Sequence, residues 1–188
     1  MSLWQVLDVP AAGPPAVLRR AAVPAGTWTG LTRDRAYRPV GWGLAVRTDL
    51  PTTALLRVEA FAGRVPTRAT IGRAAAAWVH VGGQAPPRLD LLVPPGGRRV
   101  DPRPDLQSHE ALLGRGDVVL LAGQRVTSVQ RTGLDIARHL PTAQAADWLQ
   151  ALLAAGFDAG AARRRLDGLG RERGVRQANV LLAGLTPA

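Results

Sequence analysis

The chain has 188 residues, no cysteine and 46 % hydrophobic residues, which excludes full disorder, disulfide scaffolds, zinc–thiolate sites and thiol nucleophiles. Its 24 basic residues are all arginine and outnumber 14 acids, giving a formal net charge of +10. That excess predicts an acidic partner, either nucleic acid or an acidic protein surface. No apolar run approaches the roughly 18–20 residues that cross a bilayer, and no signal-peptide pattern opens the chain, so we expect a cytoplasmic protein.

The first fifty residues alternate between turn-forming and apolar stretches. A pair of prolines favours a short helix over Ala16–Ala22. Residues 27–31 alternate polar and apolar side chains, and residues 37–46 form a second β-like run that a proline and a glycine restrict to an edge or bulged strand. A helix followed by a two-stranded ribbon is typical of a trimmed winged helix-turn-helix. We therefore interpret residues 1–50 as a short, degenerate winged-helix-like segment.

Residues 51–116 predict a mixture of helices and strands. A threonine at 52 or 53 caps a helix that runs to about Ala62, and Thr70 caps a second over Ile71–His80. Leu89–Val93 is an apolar strand that ends in a Pro–Gly turn. The Pro-rich stretch Val100–Leu106 is expected to be extended, at the edge of a sheet.

The remaining residues predict two strands and then a run of helices. The strands are Asp117–Leu121 and a stretch from Gly123 into Val126. Each following helix has a start signal, and these are Ser128, Thr142, Asp158 and Gly174. Strands followed by helices indicate an α+β domain over residues 51–188, in which a mixed sheet packs with a C-terminal run of helices.

Patterns that carry catalysis or bind metal are missing from the sequence. There is no Gly-rich phosphate loop, and the three histidines are far apart with no acid at metal-ligand spacing. A magnesium nuclease needs a carboxylate cluster, usually with a lysine, whereas Asp90 is the only acid in a suggestive position and lysine is absent. We therefore expect no enzymatic activity, no metal and no cofactor.

Four stretches together resemble the abortive-infection antitoxin family (AbiEi-like, type IV toxin–antitoxin systems) in its actinobacterial form. The longest, VTSVQRTGLDIAR at 126–138, is similar to the family's strand-to-helix element. The others are RAAAAW at 73–78, LLVPPGGRR at 91–99 and GVRQA at 174–178. The resemblance covers about the last two-thirds of the chain, and the N-terminal winged-helix region is shortened relative to the family.

The resemblance implies a winged helix that binds operator DNA, followed by a domain that serves the antitoxin function against a nucleotidyltransferase toxin. The same module resembles the front half of longer actinobacterial proteins that end in a very-short-patch-repair-like endonuclease domain. This chain ends at Ala188, where such a nuclease would begin, and we expect a binding protein without that machinery.

Three sets of residues are candidates for function or for fixing the fold. Those expected to contact DNA phosphates, with a solvated surface as the alternative, are Arg19, Arg20, Arg33, Arg35 and Arg38. A second basic cluster, facing either nucleic acid or the acidic surface of a toxin, comprises Arg163, Arg164, Arg165, Arg171, Arg173 and Arg176. Arg131 and Asp135 lie four apart on one predicted helix, where they can pair and fix the fold.

The sequence thus predicts a non-enzymatic antitoxin-like protein that neutralises or regulates a nucleotidyltransferase toxin, with operator DNA as a further expected partner. Two alternatives stay open. The first is a stand-alone DNA-binding transcriptional regulator without a toxin partner, and the second is a degenerate nuclease-type domain.

Overall fold

A computed structural model describes residues 13–97, 100–101, 103–170 and 172–185. The chain divides between Pro51 and Thr52 into two compact units. In the described ranges there are seven α-helices and two sheets, of three and five strands, so the protein is α+β as predicted.

The first unit is a small antiparallel sheet with one helix. Its elements are strand β1 (Val17–Arg19), helix α1 (Ala25–Arg33), strand β2 (Tyr37–Gly41) and strand β3 (Leu44–Arg47), with a single 3-10 turn after β1. The strand order is β1-β3-β2, and β3 is antiparallel to both neighbours. A core of Leu18, Tyr37 and Ala45 is closed by Trp28 and Leu31 from α1.

Both predictions of secondary structure for residues 16–31 are wrong, because the helix and the strand occur in the opposite order. A strand and a 3-10 turn replace the predicted helix over 16–22, and helix α1 replaces the predicted strand over 27–31. Trp28 and Leu31 lie three residues apart, a spacing that places both side chains on one face of a helix but on opposite faces of a strand. Packing of both side chains against Leu18 and Tyr37 selects the helix.

The second unit is built on a mixed five-stranded sheet in the order β6-β5-β4-β8-β7. Its strands are β4 (Thr70–Ile71), β5 (Leu89–Val93), β6 (Leu106–Glu110), β7 (Val118–Leu121) and β8 (Gln124–Thr127). Strands β4 and β8 are parallel, as are β5 and β6, while the other pairs are antiparallel. Each of the two central parallel strands β4 and β8 leads into a helix almost at once.

The helices of the second unit pack with this sheet and with one another. They are α2 (Ala54–Val58), α3 (Arg73–Val81), α4 (Val129–His139), α5 (Thr142–Ala154), α6 (Ala159–Asp167) and α7 (Val175–Ala183). No helix in the described ranges has both the length and the apolar character needed to cross a bilayer.

Side-chain caps fix where several of these helices begin. Thr53, Ser128 and Asp158 each accept a hydrogen bond from the backbone N–H three residues later, as their positions in the sequence predicted. Thr70 and Thr142 do not cap helices: Thr70 belongs to β4, and Thr142 is already the first residue of α5. Threonine is a frequent N-cap residue, which is why the sequence suggested caps there, but Gly72 and Pro141 occupy the N-cap positions of α3 and α5.

The main core of the second unit surrounds α4. Leu134, Ile136 and Ala137 are buried there with apolar side chains from α5, α6 and α7. Gly133 permits the closest approach, because a Cβ at that position would lie 2.3 Å from the ring of Phe157. Helix α4 is therefore the element against which the C-terminal helices assemble.

Replacing Ile136 by alanine tests this arrangement. Ile136 is fully buried, so the loss of its side chain should lower the free energy of unfolding by about 2–5 kcal/mol. Val180→Ala is the matched control, since Val180 is 71 % exposed on α7 and its truncation should cost less than about 0.5 kcal/mol. Urea unfolding of both variants measures the difference, and equal midpoints would mean that α4 is not central.

Candidate nucleic-acid interface

The five arginines predicted to contact DNA lie on five different parts of the first unit. Arg19 ends strand β1 and Arg20 begins the 3-10 turn, so neither belongs to a helix that precedes the ribbon as predicted. Arg33 is the last residue of α1, Arg35 lies in the turn after it, and Arg38 alone lies on a strand of the hairpin. All are exposed except Arg19, which is half-buried.

These arginines form two groups at opposite ends of the sheet. Arg20 lies at the hairpin tip, where its backbone N–H donates to the carbonyl of Gly43 at 2.8 Å. Arg35 lies at the other end, where its carbonyl accepts a hydrogen bond from the hydroxyl of Thr48. Strand β2 separates the two ends by about 13 Å, at roughly 3.3 Å per residue.

Backbone geometry fixes both ends. At the hairpin tip Trp42 and Gly43 have φ values of 54° and 70°, the left-handed pair that a two-residue hairpin turn requires. Arg35 has a φ of 58°, which turns the chain sharply from α1 into β2. The hydroxyl of Tyr37 then donates to the carbonyl of Pro15 at 2.7 Å and ties β2 to the residues before β1.

Acidic side chains offset part of this positive charge. Residues 13–51 contain six arginines and two aspartates, an excess of four positive charges. Asp34 pairs with Arg33 at 2.9 Å, and Asp49 pairs with Arg47 at 2.6 Å. Both pairs are solvent-exposed, and such pairs contribute little to stability. The main effect of Asp34 is therefore to reduce the positive charge at the end of α1.

The second predicted basic cluster is divided by the structure. Arg163 and Arg164 are exposed on α6, and Arg176 is exposed in the first turn of α7. Arg173 is exposed and its carbonyl accepts from Arg138, whereas Arg171 lies outside the described residues. Arg165 differs from its neighbours, because its guanidinium is held by a carboxylate inside the second unit.

That carboxylate is Asp117, which lies immediately before β7 with a side chain only 4 % exposed. Arg165 donates to its two oxygens at 2.6 and 2.9 Å, and Arg131 donates to Oδ2 at 2.9 Å. The backbone N–H of Gly114 also donates to Oδ2, at 2.9 Å. Asp117 therefore joins the start of β7 to both α4 and α6.

Arg131 carries this network further. Its Nε donates to Asp135 at 2.9 Å, one turn along α4, and its Nη1 also donates to the carbonyl of Leu112 at 2.9 Å. The structure thus brings Arg131 and Asp135 together as a buried pair, with Asp117 as a third member that the sequence did not reveal. The feature of the sequence that could have indicated this role is the position of Asp117, an acidic residue directly before the apolar strand β7.

The two carboxylates differ in acidity. Burial opposes ionisation of Asp117, but hydrogen bonds from Arg165 and Gly114 and the charges of Arg165 and Arg131 outweigh it and lower its pKa to about 2. For Asp135 burial dominates over the charge and hydrogen bond of Arg131, and its pKa is raised. Asp117 is therefore the ionised centre of the network.

A further polar cluster involves residues that the sequence placed far apart. His109 on β6 contacts Asp90 on β5 at 2.9 Å and Arg73 Nη1 at 3.0 Å through the same ring nitrogen.

His139, the last residue of α4, has a lowered pKa of about 4. Burial is the main cause, and the nearby positive charge of Arg73 and other basic groups adds to it. In the described part of the chain no three His, Asp or Glu side chains are placed to hold a metal ion.

No protein-family model matches the chain, and no curated protein matches it. Among solved structures, the crystal structure of the RV2827C protein from Mycobacterium tuberculosis aligns with 90 % of this chain and 76 % of that one. The identity is 16 % and the TM-score 0.39, a likeness too distant to support an argument about function.

The Asp117 network predicts a specific loss of stability in acid. Because the folded-state pKa of about 2 lies below the value near 3.9 of an unfolded aspartate, its stabilisation is complete above about pH 4 and is lost as the pH falls through about 2. Asp117→Asn should cost about 3–5 kcal/mol at neutral pH and flatten the stability profile between pH 4 and 2. Urea unfolding at several pH values measures both effects, and an unchanged acid profile in the variant would assign the acid sensitivity to other groups.

Proposed function

We propose that this chain is a non-enzymatic, antitoxin-like DNA-binding protein whose first unit contacts double-stranded DNA. The observation that supports this proposal most strongly is the topology of the first unit. Strand β1 and helix α1 precede the β2–β3 hairpin, and β3 pairs with β1. This is the strand–helix–hairpin part of a winged helix. Helix-turn-helix proteins place such a helix in the major groove.

The exposed surface of α1 supports this role. Ala25, Gly26, Thr29 and Arg33 follow one another at helical spacing, and all four are exposed, while Trp28 and Leu31 face the core. Small side chains on the outer face allow the helix backbone to come close to a groove wall. An α-helix with its side chains is about 10–12 Å across, which fits a major groove about 12 Å wide.

The two groups of arginines support contacts with the phosphate backbone. Arg20 and Arg35 lie beyond the two ends of strand β2, which spans about 13 Å. Long, exposed guanidinium side chains at the two ends of such a strand can reach phosphates on both sides of a major groove about 12 Å wide. Such contacts supply affinity and orientation and carry little sequence information.

The antitoxin part of the proposal rests on the resemblance of residues 73–78, 91–99, 126–138 and 174–178 to the abortive-infection family. A nucleotidyltransferase toxin is the partner that this resemblance implies. Arg163, Arg164 and Arg176 are exposed basic side chains on α6 and α7, which suit an acidic protein surface. A toxin that still binds after all three are changed to alanine would place its contact elsewhere.

Affinity for duplex DNA should fall steeply with salt and should depend on the first unit. Arg33→Ala with Arg35→Ala should weaken binding to all sequences and reduce the slope of log affinity against log salt by about one for each lost phosphate contact. Arg163→Ala with Arg164→Ala is the control, because it removes the same charge from α6. Fluorescence anisotropy at salt concentrations from about 50 to 300 mM, a range over which charge screening increases strongly, measures the slope of log affinity against log salt. Equal losses in the two double variants would refute the first unit as the interface.

Removal of one acid should have the opposite effect. Asp34→Asn removes one negative charge beside α1 and with it the 2.9 Å ion pair to Arg33, so DNA affinity should rise by about two- to fivefold. Asp167→Asn makes the same charge change on exposed α6 and should leave affinity almost unaltered. An increase of equal size in both variants would show that only net charge matters.

The purified protein should neither cleave DNA nor transfer nucleotides in the presence of magnesium or manganese. Asp90, the acid in the position most suggestive of a nuclease, contacts His109, and the described residues contain no group of three acidic or histidine side chains that could hold a metal ion. Activity is measured on labelled duplex and RNA substrates with each metal. Turnover that persists on purification and disappears in Asp90→Asn would favour the degenerate nuclease alternative.

A further inference from the structure

A groove of about 530 Å³ lies in the second unit between helices α3 and α5, away from the proposed DNA contacts in sequence. Its volume is within the range of sites for small molecules, about 300–1,000 Å³. Its lining includes the side chains of Val81, Pro86, Pro87, Gln144, Asp147 and Trp148.

The turn after α3 shapes one wall of the groove. Gly82 and Gly83 have φ values of 78° and 82°, which end the helix and redirect the chain. The two prolines that follow restrict the backbone of residues 84–87. The opposite wall is a stripe on α5 in which Gln144, Asp147 and Trp148 recur at helical spacing.

Asp147 stands apart from most carboxylates of this arginine-rich chain. Acids such as Asp34, Asp117 and Glu172 each hold an arginine. Asp147 has no ion-pair or hydrogen-bond partner among the described residues, although it is exposed and 24 arginines are present. It is also the one side chain with an acidic or basic group among the described residues that line the groove.

We propose that this groove binds a small organic cation, of the class of protonated aliphatic amines. The carboxylate of Asp147 supplies the opposite charge, and the adjacent half-buried Trp148 supplies an aromatic surface that attracts a cation through its π-system. Apolar walls from Val81 and the prolines receive the alkyl part. Such a site is independent of the proposed function, because it uses no residue of the first unit.

Butylamine, which is protonated at neutral pH, and 1-butanol, its uncharged counterpart, are the probes. Titration of the full-length protein followed by ¹H–¹⁵N NMR should give saturable shifts for butylamine at Gly82, Gly83 and the Trp148 indole, with weaker binding of butanol. Asp147→Asn should reduce the amine affinity by about two- to fivefold, as expected for one exposed charge contact. Trp148→Phe, which keeps a ring, should retain more affinity than Trp148→Leu.

Asp167→Asn is the matched control, because it removes an exposed carboxylate of the same unit that does not line the groove. Its amine affinity should equal that of the unaltered protein. Equal binding of butanol and butylamine, shifts outside the groove, or equal effects of the two Asp→Asn changes would overturn the proposal. Because Asp147 is exposed, its variant is expected to fold, which unaltered thermal unfolding checks directly.

Discussion

The second unit depends on one buried carboxylate. Asp117 accepts from two arginines, one on α4 and one on α6, and from the N–H of Gly114, so that a single side chain fixes the edge of the sheet against two helices. Removing ions from water is costly, and each hydrogen bond here offsets part of that cost. Asp135, on the same helix, holds the guanidinium of Arg131 in place, and α4 cannot rotate without breaking the pair between Arg131 and Asp117. This constraint orients the helix around which the apolar core assembles.

The first unit is organised differently, with a small apolar core and an exposed, basic surface. Its shape comes from the hairpin turn, the Tyr37 hydroxyl and the packing of Trp28 and Leu31 on the sheet. None of these interactions uses the exposed guanidinium groups of Arg20 or Arg35. Those two charges are therefore available to a partner, whereas Arg131 and Arg165 in the second unit are committed to the fold.

Local signals in the sequence predicted the elements whose boundaries are set locally. Strand β5 has the predicted bounds Leu89–Val93, and the caps at Ser128 and Asp158 start α4 and α6 as expected. Residues 16–31 were assigned wrongly because their apolar runs are too short for periodicity to separate a helix from a strand, and tertiary packing decides which one forms. The two arginine partners of Asp117 are 14 and 48 residues away, and no local pattern indicates such contacts. The DNA-contacting roles of the predicted arginines remain predictions.

We propose that DNA binds to the first unit. An NMR titration of the full-length protein with a duplex of about 15 base pairs, long enough to cover more than one helical turn, tests this proposal. The largest amide and arginine side-chain shifts should fall on α1, the turn at Arg35 and the hairpin tip at Gly43. Shifts confined to α6 and α7, or none at low salt, would contradict it.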